Sequence, residues 1–193
     1  MSVGPSLSFA IIWIGFVVSW IAAAFWSGRT EKRVMTPGVR VYRAATLAGA
    51  ILLTPWAAQI AAARPVWDVG ETGAYALAGL TLAGVALAWW ARIHLGRLWS
   101  SAITRKQDHR IVDTGPYALV RHPIYTGLIA AILATAAAEG NATALAGAAL
   151  VAFGLWLKAR TEERFLMAEL GADAYGAYCR RVPMLVPFLP PGG

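Results

Sequence analysis

The segment Leu7–Trp26 runs for twenty residues without a charged side chain, about the length an α-helix needs to cross roughly 30 Å of hydrocarbon. Nothing else in the sequence restricts the fold as strongly, because a backbone in lipid must satisfy its own hydrogen bonds and a helix does so internally. The run lacks the basic flank that opens a secretory signal, and no small-residue cleavage site separates it from the downstream chain. It therefore reads as a retained helix. Further apolar runs span residues 44–63, interrupted by Pro55, then 73–91, 124–138 and 142–157. Neighbouring helices in a bundle can absorb the kink at Pro55. Apolar residues make up 58% of the 193-residue chain and charged residues 14%, against about one quarter charged in soluble domains. Nine tryptophans suit a protein with two membrane–water interfaces to anchor.

The last two runs are short. At about 1.5 Å per residue each covers roughly 22–24 Å, less than a full hydrocarbon layer. They form either two thin-spanning helices with Glu139 and Asn141 at the far surface or a buried re-entrant hairpin, and the first arrangement is favoured. The charges test this count. One connection carries Arg29, Lys32, Arg33, Arg40 and Arg43, and the next on that side carries Arg92, Arg97, Arg105, Lys106, Arg110 and Arg121. The tail adds Lys158, Arg160, Arg164, Arg180 and Arg181, so five spans put sixteen of the seventeen basic residues on one side. Only Arg64 lies opposite, near Asp68, Glu71 and Glu139. Basic loops stay in the cytoplasm, so the N-terminus is expected outside and the C-terminus inside. The expected fold is an all-α integral membrane protein, a single membrane domain over 1–193 with five transmembrane helices and a cytoplasmic C-terminal region.

The formal charge of +7 is thereby read as orientation. The basic residues are spread over three connections and are not packed into one arm with interleaved aromatics, which argues against nucleic acid. A lone Cys179 excludes an intramolecular disulfide and a Cys-based zinc cluster, and no metal site is expected. The Ala and Gly runs fit close helix packing, where small residues let backbones approach.

The unusual polar content lies in the second half. In Gly115-Pro116-Tyr117-Ala118-Leu119-Val120-Arg121-His122-Pro123-Ile124-Tyr125-Thr126-Gly127, Leu119 and Val120 bring the chain to the membrane surface as Arg121 and His122 appear. Pro123 suits the first position of a helix and biases His122 towards an extended conformation. That helix start, with its dipole and free N–H groups, is an anion site flanked by Arg121 and His122. Tyr125 adds an aromatic donor, and Gly127 a position where a ligand can approach the backbone. Alternatively Arg121 and His122 snorkel to headgroups and Tyr125 belongs to an interfacial belt. A second cluster, Lys158-Ala159-Arg160-Thr161-Glu162-Glu163-Arg164, comes after the last run. Lys158 and Glu162 can pair at i,i+4 on a solvated face, or Glu162 and Glu163 can hold a cationic ligand. Tyr175 and Tyr178 share a helical face, and the prolines of Val182-Pro183-Met184-Leu185-Val186-Pro187 end any helix there.

Taken in order, Gly-x-Tyr-x-x-x-Arg-His-Pro-x-Tyr-x-Gly (Gly115–Gly127), a helical hairpin, Arg-x-Glu-Glu-x-x-Leu (Arg160–Leu166), Gly-x-x-x-Tyr-x-x-Tyr (Gly171–Tyr178) and Val-Pro-x-x-x-Pro (Val182–Pro187) resemble the isoprenylcysteine carboxyl methyltransferase family. Leu95-Gly96-Arg97-Leu98-Trp99-Ser100 resembles the segment that precedes this motif in bacterial members. The resemblance covers about Leu95 to Pro187, half the chain, and makes that half the catalytic one. It implies an integral membrane enzyme that moves a methyl group from S-adenosylmethionine to a small or lipophilic acceptor, leaving S-adenosylhomocysteine. It further implies a cofactor pocket lined by His122, Pro123, Tyr125 and Gly127 together with Arg160, Glu162 and Glu163, in a prokaryotic plasma membrane.

The residue chemistry suits such a donor. Glu162 or Glu163 would bind its ammonium, and Arg121, Arg160 or the helix start at Pro123 its carboxylate. Tyr117, Tyr125, Tyr175 or Trp99 would pack on adenine, with Leu119 beside them. Arg121, His122, Tyr125 and Glu163 are the expected catalytic group. A carboxylate or thiolate acceptor needs no base, whereas an amine needs one, and His122 could serve. Arg121 or Arg180 would orient a carboxylate acceptor. No Gly-x-Gly-x-x-Gly is present. Related membrane sterol reductases that bind NADPH and a non-enzymatic membrane subunit are the alternatives. The expected partners are the bilayer and the methyl acceptor, with no obligate protein partner.

Overall fold

A computed structural model describes residues 3–25, 30–33, 37–96, 99, 104–106 and 111–189. Trp26 at the end of the first apolar run, the basic residues Arg29, Arg97 and Arg110, and Leu98 and Ser100 of the segment before the motif lie outside the described residues. Among the described residues, the regular structure is helical apart from one short ribbon. Helices α1 (Val3–Ala24), α2 (Pro37–Leu52), α3 (Pro55–Ile60), α4 (Gly70–Leu95), α5 (Pro123–Glu139), α6 (Ala142–Leu170) and α7 (Ala172–Arg181) succeed one another in chain order. Strands β1 (Thr30–Arg33) and β2 (Thr104–Lys106) pair antiparallel, an addition to the all-helical expectation that joins the first basic connection to the second.

By length and composition, α1, α4 and α6 can each cross a membrane, and α5 is a shorter apolar helix of 17 residues. The chain is a multi-pass membrane protein. Its surface agrees, with Ile11, Ile14, Val18 and Ile21 of α1 exposed while Thr81, Arg92, Arg121, His122 and Asn141 are buried. This inside-out distribution of polarity is the one expected where the surrounding solvent is hydrocarbon. The run at 44–63 does not continue through a kink. It is divided into α2, which begins earlier at Pro37, and α3, whose cap Thr54 accepts a hydrogen bond from Ala57 N at 3.2 Å before Pro55 at the first position. A proline has no N–H for an interior helical bond, and the side-chain cap starts a new helix there. Arg92, read as a connection residue, is inside α4. Its Nη2 donates to Ala23 O at 2.8 Å and its Nη1 to Gly96 O at 3.0 Å, beneath the Trp99 ring.

The helices pack in pairs, α4 on α5 and on α1, and α2 on α6. In α4 the buried positions Ala74, Ala78, Thr81, Gly84, Val85, Ala88 and Ala91 form one stripe, and in α5 Gly127, Ala131, Ala134 and Ala138 form another. Gly84 and Gly127 meet backbone to backbone. A Cβ built on Gly84 would lie 2.5 Å from Gly127 O and 2.9 Å from Ala131 N, and one on Gly127 would strike Gly84 O. A second crossing of the same kind joins α2 to α6, where a Cβ on Gly49 would lie 2.6 Å from Gly147 O. Thr81, Thr135 and Trp13 add a polar thread across α4, α5 and α1, with Trp13 Nε1 donating to Thr135 Oγ1 at 3.1 Å.

Two ends result. At one, Gly140 adopts a left-handed conformation that ends α5, and Asn141 caps α6 by accepting from Ala144 N at 2.9 Å. The connection before α4 is fastened there, with Val66 N donating to Gly140 O at 2.7 Å and Trp67 Nε1 to Ala137 O at 2.9 Å. At the other lie the ribbon, the start of α5 and the end of α6.

The glycine crossings predict a clear contrast. Gly84→Val and Gly127→Val should each destabilise the protein by about 1–3 kcal/mol, the usual cost of overpacking. Gly15→Val and Gly79→Val, where an added Cβ meets nothing within 4 Å, should change little. Thermal unfolding in detergent micelles separates the two sets.

Candidate active site

Arg121 and His122 stand at the entrance to α5. The sequence places Pro123 next, and the helix starts there, with His122 at φ −125° and ψ 62°. Their backbone N–H groups need acceptors, and the tail supplies them. Arg121 N donates to Pro183 O at 2.8 Å and His122 N to Met184 O at 3.1 Å. Thr126 Oγ1 adds a bond of 2.6 Å to Leu185 O. The proline-rich tail after α7 is thus a strap across the start of α5.

The Arg121 side chain is buried, and three of its five N–H donors are engaged through Nε and Nη1. Its Nε donates to Glu163 Oε1 at 2.6 Å, and its Nη1 donates to Cys179 O at 2.9 Å and Val182 O at 2.6 Å. Burial pulls the guanidinium's pKa down, but the hydrogen bond and charge of Glu163 outweigh it, so the pKa is raised above the usual arginine value. His122 Nε2 lies 3.2 Å from the same Glu163 oxygen. Glu163 comes from the far end of α6, which continues unbroken from Ala142 to Leu170 and so carries its last turns past the apolar part.

The neighbouring Glu162 points to a different partner. Its Oε2 accepts from Tyr125 OH at 2.7 Å and lies 4.0 Å from His122 Nδ1. The His122 and Tyr125 rings stack with centroids 5.4 Å apart and planes within 5°. On the α2 side, Lys158 Nζ sits 5.1 Å from the Tyr125 ring centroid and 5.9 Å from that of Tyr42. Tyr117, in the 3-10 turn Gly115–Ala118, and Tyr175 and Tyr178 of α7 are buried. Tyr178 OH donates to Tyr117 O at 2.7 Å, fixing the turn against α7. Burial raises the pKa of all three phenols well above the usual value. They remain protonated donors at neutral pH and are unsuited to act as bases.

The structure therefore brings Arg121, His122, Tyr125, Glu162 and Glu163 into one hydrogen-bonded cluster, with Pro123 buried at its base and Tyr175 packed nearby through α7. Five expected residues are placed otherwise. Arg160 is exposed, with its guanidinium 5.7 Å from the Trp156 ring. Residues two apart on a helix project about 200° apart, so Arg160 cannot share the face of Glu162. Gly127 is taken up by its contact with Gly84, and Leu119 is 44% exposed on the turn before the motif. Trp99 lies over Arg92 and edge-on to Trp20, and Arg180 is exposed on α7. Among the described residues, no group of three or more His, Cys, Asp or Glu could hold a metal ion.

Some contributors were not singled out from the sequence. Thr126 and Tyr42 give no local signal of their partners. The strap did leave one, since an extended Pro-rich segment with apolar side chains must hydrogen-bond its backbone somewhere.

Known proteins resemble this chain over the part that contains the cluster. Residues 77–168 match the sequence model of the isoprenylcysteine carboxyl methyltransferase (ICMT) family. Among individual relatives, the cobalt-zinc-cadmium resistance protein CzcN of Cupriavidus metallidurans is 36% identical over 126 residues, 64% of this chain and 54% of that protein. The protein-S-isoprenylcysteine O-methyltransferase of Schizosaccharomyces pombe is 32% identical over 131 residues, 65% of this chain and 52% of that protein. Methanethiol S-methyltransferase 2 of Bradyrhizobium diazoefficiens is 45% identical over 75 residues, 38% of this chain and 27% of that protein. The chain spans about half the length of the first two. The matched region holds α5, most of α4 and nearly all of α6, and with them the Arg121–Glu163 cluster. Over residues 77–168, a little under half of the chain, the sequence is similar to that of the isoprenylcysteine carboxyl methyltransferase family.

Proposed function

We propose that the chain is a membrane-embedded methyltransferase that uses S-adenosylmethionine and modifies a small or lipophilic acceptor through a carboxylate, thiol or amine. The observation that carries this reading is the unequal state of the two carboxylates. Glu163 is occupied by Arg121 and His122, while Glu162 holds Tyr125 and keeps its side chain 28% exposed. A ligand ammonium needs a carboxylate that is anchored yet accessible, and Glu162 meets both conditions. Glu163 is then a framework residue that keeps Arg121 charged and His122 oriented. Relatives named for O- and S-methyl transfer support the reaction class.

When bound, the cofactor supplies an electrophilic methyl group on a sulfonium. The protein's own part is positioning and exclusion of water, the main sources of rate for an in-line displacement. The stacked His122–Tyr125 pair offers a flat aromatic wall, and Tyr117 and Tyr175 offer apolar cover for a purine. For an amine acceptor, His122 is the group that would take the proton. Arg121, with its Nε and Nη1 donors already engaged, is better suited to hold the site together than to grasp a carboxylate with a two-pronged contact.

The reading extends to topology. The ribbon joins the first and second basic connections, and the hairpin tip at Gly140–Asn141 is fastened to the connection before α4. That alternation supports five crossings, with α2 and α3 together forming one and α5 another. The N-terminus then lies outside a prokaryotic plasma membrane, and the cluster lies at the cytoplasmic face where the cofactor enters, while the acceptor arrives laterally from the bilayer.

Three measurements check these statements. In calorimetry on the purified protein, S-adenosylmethionine or S-adenosylhomocysteine should bind and NADPH should not; binding of NADPH alone would favour a reductase. Glu162→Gln should lower S-adenosylhomocysteine affinity at least about tenfold, the effect of losing roughly 1.4 kcal/mol of charge-assisted bonding, with the thermal midpoint nearly unchanged. Glu163→Gln should instead lower stability by about 3–5 kcal/mol, because it leaves a buried guanidinium without its counter-ion. For orientation, a Cys179→Ser protein carrying Glu139→Cys should react with an impermeant maleimide from outside intact cells. One carrying Arg180→Cys should react only after lysis.

A further inference from the structure

Lys158 belongs to the cluster but has no part in the chemistry proposed for Glu162 and His122. Its ammonium lies between two tyrosine rings, 5.1 Å from the centroid of Tyr125 in α5 and 5.9 Å from that of Tyr42 in α2. Tyr42 is 5% exposed and lies outside residues 77–168, so α2 contributes a wall that the family match does not include. Aromatic faces attract a cation most strongly where water is excluded. One helical turn further along, Glu162 receives the Tyr125 hydroxyl. The ammonium and the carboxylate thus act on the same tyrosine, one at its ring and the other at its oxygen.

The charges at this place can be counted. Among the described residues, Arg121 faces Glu163 directly, and Lys158 faces Glu162 across Tyr125, two cations against two carboxylates. Arg43 on α2 also acts on Lys158, but it is exposed and water screens it. The cofactor before and after reaction differs by one charge. Transfer of the methyl breaks the S–C bond with its electron pair left on sulfur, and a lone pair of the acceptor forms the new bond. A sulfonium thereby becomes a neutral thioether.

We propose that Lys158, held by Tyr42 and Tyr125, is a specificity-determining residue that balances the charge of Glu162 and so narrows the preference of the site for the sulfonium form of the cofactor over the thioether product. This rests on the reading of the site as one for S-adenosylmethionine. The held ammonium opposes the extra positive charge of S-adenosylmethionine and leaves the net-neutral S-adenosylhomocysteine largely unaffected. The loss of the sulfonium charge during transfer removes that opposition. Lys158 therefore weakens binding of the reactant relative to the product and favours the transfer itself.

The test is calorimetric titration of the full-length protein in lipid nanodiscs with S-adenosylmethionine and with S-adenosylhomocysteine, for wild type, Lys158→Met, Lys158→Arg and Tyr42→Leu. Lys158→Met should raise the ratio of S-adenosylmethionine to S-adenosylhomocysteine affinity by about threefold to tenfold, the range expected for one partly screened charge. Lys158→Arg should keep the wild-type ratio. Tyr42→Leu, which retains the ammonium but removes one of its walls, should shift the ratio in the same direction by less. An unchanged ratio in Lys158→Met overturns the proposal, and if that variant does not fold, an unchanged ratio in Tyr42→Leu overturns it. Wild-type protein that binds neither ligand overturns the cofactor reading and this proposal together. Wild-type binding of both with a fixed ratio across the variants overturns only the role of Lys158.

Discussion

A guanidinium removed from water must find a counter-ion and acceptors, and Arg121 finds them on two other pieces of chain. Glu163 from α6 supplies the charge, and the carbonyls of Cys179 and Val182 supply the rest. These bonds hold the end of α6, the end of α7 and the start of α5 at one point. The strap from Pro183 to Leu185 is a result of this, because once Val182 is bound its successors lie across the backbone N–H groups of Arg121 and His122. A charge that is costly to bury thus organises the entire end of the bundle. Its partners lie up to 61 residues from it in sequence, so only the folded chain assembles them.

Lipid does not drive helices together as water does, so close packing must hold the remainder. The crossings at Gly84–Gly127 and Gly49–Gly147 let backbones touch, and the Thr81–Thr135–Trp13 thread adds hydrogen bonds where few polar groups compete. Arg92 repeats at the end of α1 what Arg121 does at the end of α6, with carbonyls of Ala23 and Gly96 as its acceptors. Both arginines were visible in the sequence as basic residues near apolar runs. Neither reads there as a buried clamp, since a positive charge beside a hydrophobic segment is also what topology requires.

How much of this was legible depends on the range of the interaction. The start of α5 at Pro123, the hairpin tip at Gly140–Asn141 and the entry of Glu162 and Glu163 on a continuing helix obey local rules of capping and helix propagation. The division of 44–63 into α2 and α3 was a question of whether packing could carry a helix past Pro55, and the Thr54 cap decided it. Helical periodicity alone separates Arg160 from Glu162 by rotation, although adjacency in a motif had grouped them. Gly127 has two plausible uses, ligand approach or helix contact, and the choice depends on Gly84, 43 positions earlier and on another helix. The pairing of Arg121 with Glu163 in preference to Glu162 depends on how α6 is rotated about its axis, which composition and spacing do not state.

The unbroken course of α6 has a mechanical consequence. The helix is pinned at its start by the Asn141 cap and by the Pro65–Asn141 bridge to the connection before α4, and it delivers Glu162 twenty-one residues later. At about 1.5 Å per residue that separation is roughly 32 Å, close to the thickness of the hydrocarbon layer. On the proposed topology the helix works as a gauge, setting the height of the carboxylates from a footing on the opposite surface. Thinning or thickening of the bilayer would tilt this rod and raise or lower Glu162 relative to the headgroups, so lipid composition is itself a variable to which the site can respond.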